Sequence, residues 1–190
     1  MRFGLVGLGV IAFKHNSCYA GEKTILEQQS LMAVVEIYTD GAARGNPGPG
    51  GYGTILKFGA HEKELSGGFR KTTNNRMELL AVIKGLEALT RDGLDVKIFS
   101  DSKYVVDSVE KRWVFGWERI GFKKKKNADL WRQFLPLFRK HNVRFYWIRG
   151  HNDHPYNERC DVLATTAADG RNLLIDEEFE RNEQSIFEDD

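Results

Sequence analysis

Four acidic residues, each set among short polar or glycine-containing runs, stand in order along the 190-residue chain. Asp40 follows Tyr38-Thr39 and leads through Gly41 into a Gly/Pro-rich turn. Glu78 closes Thr72-Thr73-Asn74-Asn75-Arg76-Met77-Glu78, and Asp101 opens Asp101-Ser102-Lys103-Tyr104. Asp161 ends Asn157-Glu158-Arg159-Cys160-Asp161, downstream of Gly150-His151-Asn152. Carboxylates at strand ends and helix starts can meet at one spot in an α/β fold. Four oxygen donors meeting there would hold magnesium or manganese rather than zinc or copper. Phosphodiester hydrolysis is the chemistry such a site suits. If the four anions do meet in a partly dehydrated cleft, a cation must compensate them.

Taken singly, each acid has a plainer reading. Asp40 suits a strand-end turn. Glu78, three residues after Asn75, suits a capping box. Asp101 occupies an ordinary N-cap position, and Asp161 by default faces solvent from a helix. His151 lies in a loop, where an imidazole near a phosphate can relay protons; the plain alternative is a solvent-exposed loop histidine. His154, next to Pro155, reads as a residue that organises that loop. Cys160 reads as buried, and Glu158 and Arg159 as a local pair.

The elements that must position these residues follow from apolar patterning. Val34–Tyr38 reads as a buried strand ending at Thr39-Asp40. After the turn signal Gly45–Gly51, Tyr52–Phe58 and Glu62–Phe69 complete an antiparallel meander. Asn75 to about Leu89 is apolar on most sides, as a central packed helix would be. Val96–Phe99 and Val143–Ile148 read as further strands. Ser102–Glu110, Asp129–Lys140 and Asn157–Ala168 read as helices. That order predicts a mixed sheet with helices on both faces. Trp131 and Trp147 read as core.

Hydrophobic content of 41% and charged content of 29% describe an ordinary soluble globular protein. The net charge of +1 conceals two blocks. Lys111–Lys126 carries seven Lys/Arg against one Glu, and Asp169–Asp190 carries nine Asp/Glu against two Arg. Cys18 and Cys160 are far apart and lack metal-ligand spacing, which argues against a disulfide framework and for a reducing cytoplasm. The apolar run Phe3–Phe13 is too short to span a bilayer. Residues 1–31 are expected to form an extension of open role, whether a signal-like segment, a loosely attached piece, or sequence upstream of a true start at Met32. The tail 169–190 is expected to be mobile.

From Val34 to Ala168 the chain resembles type 1 ribonuclease H, the bacterial ribonuclease HI. The matching pieces are Ile37–Gly41, Gly45–Gly53, Thr72–Leu79, Asp101–Val105, Asp129-Leu130-Trp131, and Gly150-His151 through Asp161. The resemblance implies an α/β, ribonuclease H-like fold, a five-stranded mixed β-sheet flanked by α-helices, with residues 32–168 as the catalytic domain. It implies endonucleolytic hydrolysis of the RNA strand of RNA–DNA hybrids, leaving 5′-phosphate and 3′-hydroxyl ends. It makes Asp40, Glu78, Asp101 and Asp161 ligands of two Mg2+ ions, with Mn2+ able to substitute. Asp40 would touch both ions, Glu78 and Asp101 would complete one site, and Asp161 the other. His151 becomes the proton-transfer residue.

By the same resemblance the hybrid is contacted by Asn74, Asn75 and the backbone around Gly41 and Ala43, while Asn46 and Thr73 seat a phosphate of the DNA strand. A basic handle containing Trp113, Trp117, Lys123, Lys124, Lys125 and Lys126 grips the duplex. It is about five residues shorter than the common bacterial form, and its lysines form one block. The partner implied is the hybrid duplex, with no membrane and no obligate protein partner, and the protein is expected to be a monomer. Two other functions compete: a DNA strand-transfer enzyme of the same superfamily, and a non-catalytic hybrid-binding module. The first needs separate DNA-reading domains that do not fit in this length. The second would not need four acids and His151 kept together.

Overall fold

The computed structural model describes residues 34–150 and 154–188, with side chains as far as residue 182. The expectations for residues 1–31 and for His151 lie outside the described residues. Strand β1 (Val35–Ala43) runs through the middle of a five-stranded sheet ordered β3-β2-β1-β4-β5. Strands β2 (Gly48–Phe58) and β3 (His61–Thr72) return antiparallel to it. Strands β4 (Asp95–Ser100) and β5 (Asn142–Trp147) join in parallel on its other side.

Successive side chains of a strand point to opposite faces, and β1 uses this to build two cores. Ile37 joins Val96 and Ile98 under helices α1 (Asn74–Glu87), α2 (Lys103–Glu110) and α4 (Ala128–Arg139). Tyr38 points the other way, to Ile55 and Cys160, under helix α5 (Pro155–Ala168). Helix α1 is buried on most of its circumference, as its apolar content predicts. Trp131 and Phe134 of α4 are fully buried. Helix α3 (Trp113–Arg119) is a short element preceding the lysine block.

β1 is longer than its apolar pattern suggests. It continues past Asp40 because Gly41, Ala42 and Ala43 pair with Tyr52, Gly51 and Gly50. A ladder of backbone hydrogen bonds needs no large side chains, so the apolar run under-reads the strand. Helix α5 lies close on β2: a Cβ at Gly53 would run into the Cys160 carbonyl. That close approach brings α5 across the end of β1.

The largest departure from expectation is the C-terminal segment, which docks instead of trailing free. Leu174 exchanges backbone hydrogen bonds with Gly68 and Arg70, covering the open edge of β3. Asp176, 8% exposed, accepts from Arg76 Nε at 2.7 Å and from the Thr72 hydroxyl at 2.8 Å. The other side of the same guanidinium makes a bidentate pair with Asp129 at 2.9 and 2.7 Å. Helix α6 (Glu177–Glu188) follows, fastened by a bidentate Arg70–Glu180 pair. Acidic composition suggested disorder, but Asp176 and Glu180 have arginine partners 100 and 110 residues away. Local composition cannot register such pairs.

Removing one partner of a buried ion pair leaves the other charge uncompensated, which costs about 3 kcal/mol. Asp176→Ala is therefore expected to lower the thermal midpoint by roughly 6–12 °C. A fall of less than about 2 °C in a calorimetric scan would show that the tail is not anchored through Arg76.

Candidate active site

Parallel pairing of β1 with β4 sets Thr39 opposite Ser100. The next residues, Asp40 and Asp101, therefore stand side by side at the carboxyl end of the sheet. Gly41 lets α1 approach: a Cβ there would collide with the Glu78 backbone nitrogen. That contact lays Glu78, in the second turn of α1, over Asp40. One oxygen from each of Asp40, Glu78 and Asp101 lies within 4.8 Å of the others. Asp161 projects from α5 into the same cleft of about 330 Å³, which Gly41, Ala43, Arg44, Asn74, Asn157 and Thr165 also line.

For Glu78, Asp101 and Asp161 the plain readings do not match the geometry. The N-cap of α1 is Thr73, and Glu78 is 6% exposed and turned inward, so it closes no capping box. Ser102 caps α2, accepting from the Val105 amide at 3.4 Å, which leaves the Asp101 carboxylate free of that duty. Asp161 faces the cleft instead of open solvent.

Crowding shows in the protonation equilibria. Burial, then the charges of Asp101 and Asp161, push the Asp40 carboxyl up to about 8, against the lowering effect of the Gly41 amide. Glu78 is raised well above the usual carboxylate range by burial first, then by Asp40 and Asp101. Its Oε1 accepts from Asn74 Nδ2 at 3.3 Å, while Oε2 is buried without any hydrogen-bond partner. A buried orphan oxygen among mutually repelling carboxylates is what a hard divalent cation would satisfy. The residues present fit such an ion.

A cation must displace the proton that Asp40 holds. Its apparent affinity is therefore expected to tighten as pH rises toward about 8, by up to ~10-fold per unit for one displaced proton. Calorimetric Mg2+ titrations at pH 6, 7 and 8 would show this, and equal affinities at all three would refute it.

Eight of the expected substrate residues line two clefts. Gly41, Ala43 and Asn74 line the carboxylate cleft. Asn46, Thr73, Asn75, Lys125 and Lys126 line a neighbouring cleft of about 650 Å³, which Arg132 and α6 also border. Asn46 Oδ1 accepts from the Asn74 amide at 3.3 Å, linking the two clefts. Lys123–Lys126 are all exposed. Trp113 is 47% exposed with the Lys111 ammonium 5.1 Å from its ring. Trp117 has two sides: one edge meets Trp131 at 5.8 Å, and the Lys125 ammonium lies 5.4 Å from its ring.

Several readings need correction. Trp147 is 46% exposed and outside the core; its indole Nε1 donates to the Asp101 carbonyl at 2.9 Å. Arg159 reaches across to Glu64 on β3 in a bidentate pair at 2.8 Å, not to its neighbour Glu158. Cys160 is fully buried and donates to the Tyr38 carbonyl at 3.3 Å, and burial pushes its thiol far up, away from nucleophilic use. His154 occupies the N-cap position of α5, with its ring 5.3 Å from Tyr38.

Asn157 was not picked out from the sequence. It is 3% exposed, donates to Asp101 Oδ2 at 3.4 Å, and keeps a buried, unpartnered Oδ1. The available signal was its spacing: four residues before Asp161, it shares that residue's helix face.

Comparison with known proteins agrees with this geometry. The RNase H family model matches residues 32–169. A ribonuclease H of Lachnoclostridium phytofermentans is 56% identical over 153 residues, covering 75% of this chain and 96% of its own. Among solved structures, LC9-RNase H1, described as a type 1 RNase H with the type 2 active-site motif, is similar with a TM-score of 0.67 and 32% identity. The match covers 78% of this chain and 80% of that one. LC11-RNase H1, solved in complex with an RNA/DNA hybrid, is similar with a TM-score of 0.50 and 27% identity, over 71% of this chain and 96% of that one. A five-stranded mixed sheet with an acidic cluster at its carboxyl end, joined to a family match over most of the described residues, places this chain in the RNase H family.

Proposed function

We propose that the protein is an endonuclease that hydrolyses the RNA strand of RNA–DNA hybrids, using two divalent ions and leaving 5′-phosphate and 3′-hydroxyl ends. The observation that carries this is the convergence of Asp40, Glu78 and Asp101 within 4.8 Å, beside Asp161 and a second cleft lined with lysines. Mg2+ is the ion assigned, because an all-oxygen set of few protein ligands suits a cation that keeps several waters. Mn2+ substitutes. Ions bound there lower the pKa of a water and compensate charge on the departing 3′ oxygen.

The chain's own residues do the rest. Asp40, central among the acids, would exchange its proton for a bound ion and serve as a ligand. Glu78, Asp101 and Asp161 would be the other carboxylate ligands. Asn74 and the backbone at Gly41–Ala43 face the strand being cut, where a 2′-hydroxyl can be both donor and acceptor. Asn46 and Thr73 seat the other strand, and Lys125 and Lys126 draw its phosphates. His151 takes the proton-transfer role that the family resemblance gives it. The enzyme works as a cytoplasmic monomer.

The test is a labelled hybrid, incubated with the full chain and Mg2+ beside RNA–RNA and DNA–DNA duplexes of the same sequence. Cleavage confined to the RNA strand of the hybrid is expected. Binding without cleavage, or cleavage of DNA, would overturn the assignment.

A further inference from the structure

Trp147 ends β5 with nearly half of its surface in water. An exposed tryptophan contributes little to a core, yet both its polar edge and its ring face are engaged. The edge donates to the Asp101 carbonyl at 2.9 Å. The Lys103 ammonium lies 5.0 Å from the ring centroid, within cation–π range. Around this contact Ile148, Gly150 and Asn157 also close on the neighbourhood of Asp101. The Ile148 amide donates to the Ser100 carbonyl at 3.0 Å, continuing the ladder to the last residue before the acid. Asn157 Nδ2 reaches Asp101 Oδ2 at 3.4 Å. Gly150 passes so near that a Cβ there would sit 2.5 Å from the same oxygen.

Asp101 itself lies between elements, after β4 ends at Ser100 and before α2 begins at Lys103. The β1–β4 ladder brings Asp101 beside Asp40, and contacts from outside both elements then act on its peptide and carboxylate.

We propose that Trp147 is a positioning residue for Asp101: its indole N–H fixes the Asp101 peptide so that the carboxylate faces Asp40 and Glu78, while its ring packs against the Lys103 ammonium. The inference rests on the metal-site reading above. Ligand carboxylates must be held to within about 0.5 Å to be productive, and the groups that hold them affect metal affinity or activity by ~10-fold or more. The indole is kept here for its N–H and its flat face, not for burial.

The test compares Trp147→Phe with the unmodified full chain. Phe keeps a ring beneath Lys103 and removes only the donor. Thermal midpoints are measured without metal and across an Mg2+ titration, and steady-state kinetics on a hybrid follow. Expected for W147F are a metal-free midpoint within about 2 °C of wild type and an Mg2+ midpoint concentration raised ~5-fold. A correspondingly smaller Mg2+-induced rise is expected, with kcat lowered ~10-fold and KM within about 2-fold. A purely structural tryptophan would lower the thermal midpoint equally with and without Mg2+ and leave the Mg2+ midpoint unchanged; that result overturns the proposal. Should W147F not fold, benzothienylalanine at position 147 replaces the N–H by sulfur at nearly constant shape, and the same outcomes apply. Wild type showing no Mg2+-induced rise would bring down the metal-site reading itself. A normal rise in wild type, matched by the variant, would bring down only this inference.

Discussion

Asp40→Asn is expected to reduce kcat on an RNA–DNA hybrid by at least ~10³-fold while making the metal-free protein more stable at neutral pH. Both effects come from one feature. Burial of Asp40, 7% exposed, and then the charges of Asp101 and Asp161 push its carboxyl up to about 8. In the unfolded chain it ionises near ~3.9. The sign follows from linkage. A carboxyl raised on folding contributes stability below about pH 4, and that contribution is lost as pH climbs toward 8. At pH 7 the native protein thus holds Asp40 at a cost that Asn avoids, of order 2–4 kcal/mol.

The variant should accordingly melt roughly 5–10 °C higher than wild type in the absence of metal at pH 7, and the gap should close near pH 4. Hybrid binding should survive, because the lysine block is untouched. A D40N protein with undiminished turnover, or one less stable than wild type at every pH, would contradict the account.

The second large effect concerns affinity. Changing Lys123–Lys126 together to Ala removes four exposed cations from one loop. Each phosphate contact contributes about 0.9 to the slope of log affinity against log salt on a regular duplex. The variant is expected to lose up to ~3.6 in that slope and to raise KM by about 100-fold at low salt, with kcat within a few-fold. The difference should shrink as salt approaches about 0.5 M, where screening weakens the wild type as well. Kinetics at several salt concentrations decide this. An unchanged slope would remove the lysines from the nucleic-acid interface and leave Trp113, with Lys111 against its ring, as the handle's contact.

The four carboxylates were legible as candidates through the motifs that carry the family resemblance, whereas their meeting shows only in the fold, where parallel pairing sets Thr39 opposite Ser100 and so brings the next residues together. Their electrostatic coupling was legible only as a condition, since repulsion matters only once distances are known. Trp147 was misread because apolar content at a strand end looks the same whether the ring packs inward or reaches sideways to a peptide carbonyl. Asn157 stayed hidden in a motif whose acid drew the attention. The C-terminal segment was missed for a different reason. Asp176 and Glu180 owe their order to Arg76 and Arg70, residues of α1 and β3, and no local window contains both partners. Likewise β1 outruns its apolar core because its last residues are held by the ladder with β2.

The most direct test is crystallographic: anomalous diffraction from crystals of the full chain soaked in Mn2+. The account predicts peaks among Asp40, Glu78, Asp101 and Asp161, two of them about 3.5–4 Å apart. Crystals that bind manganese elsewhere, or leave these carboxylates without a peak at saturating metal, would contradict it.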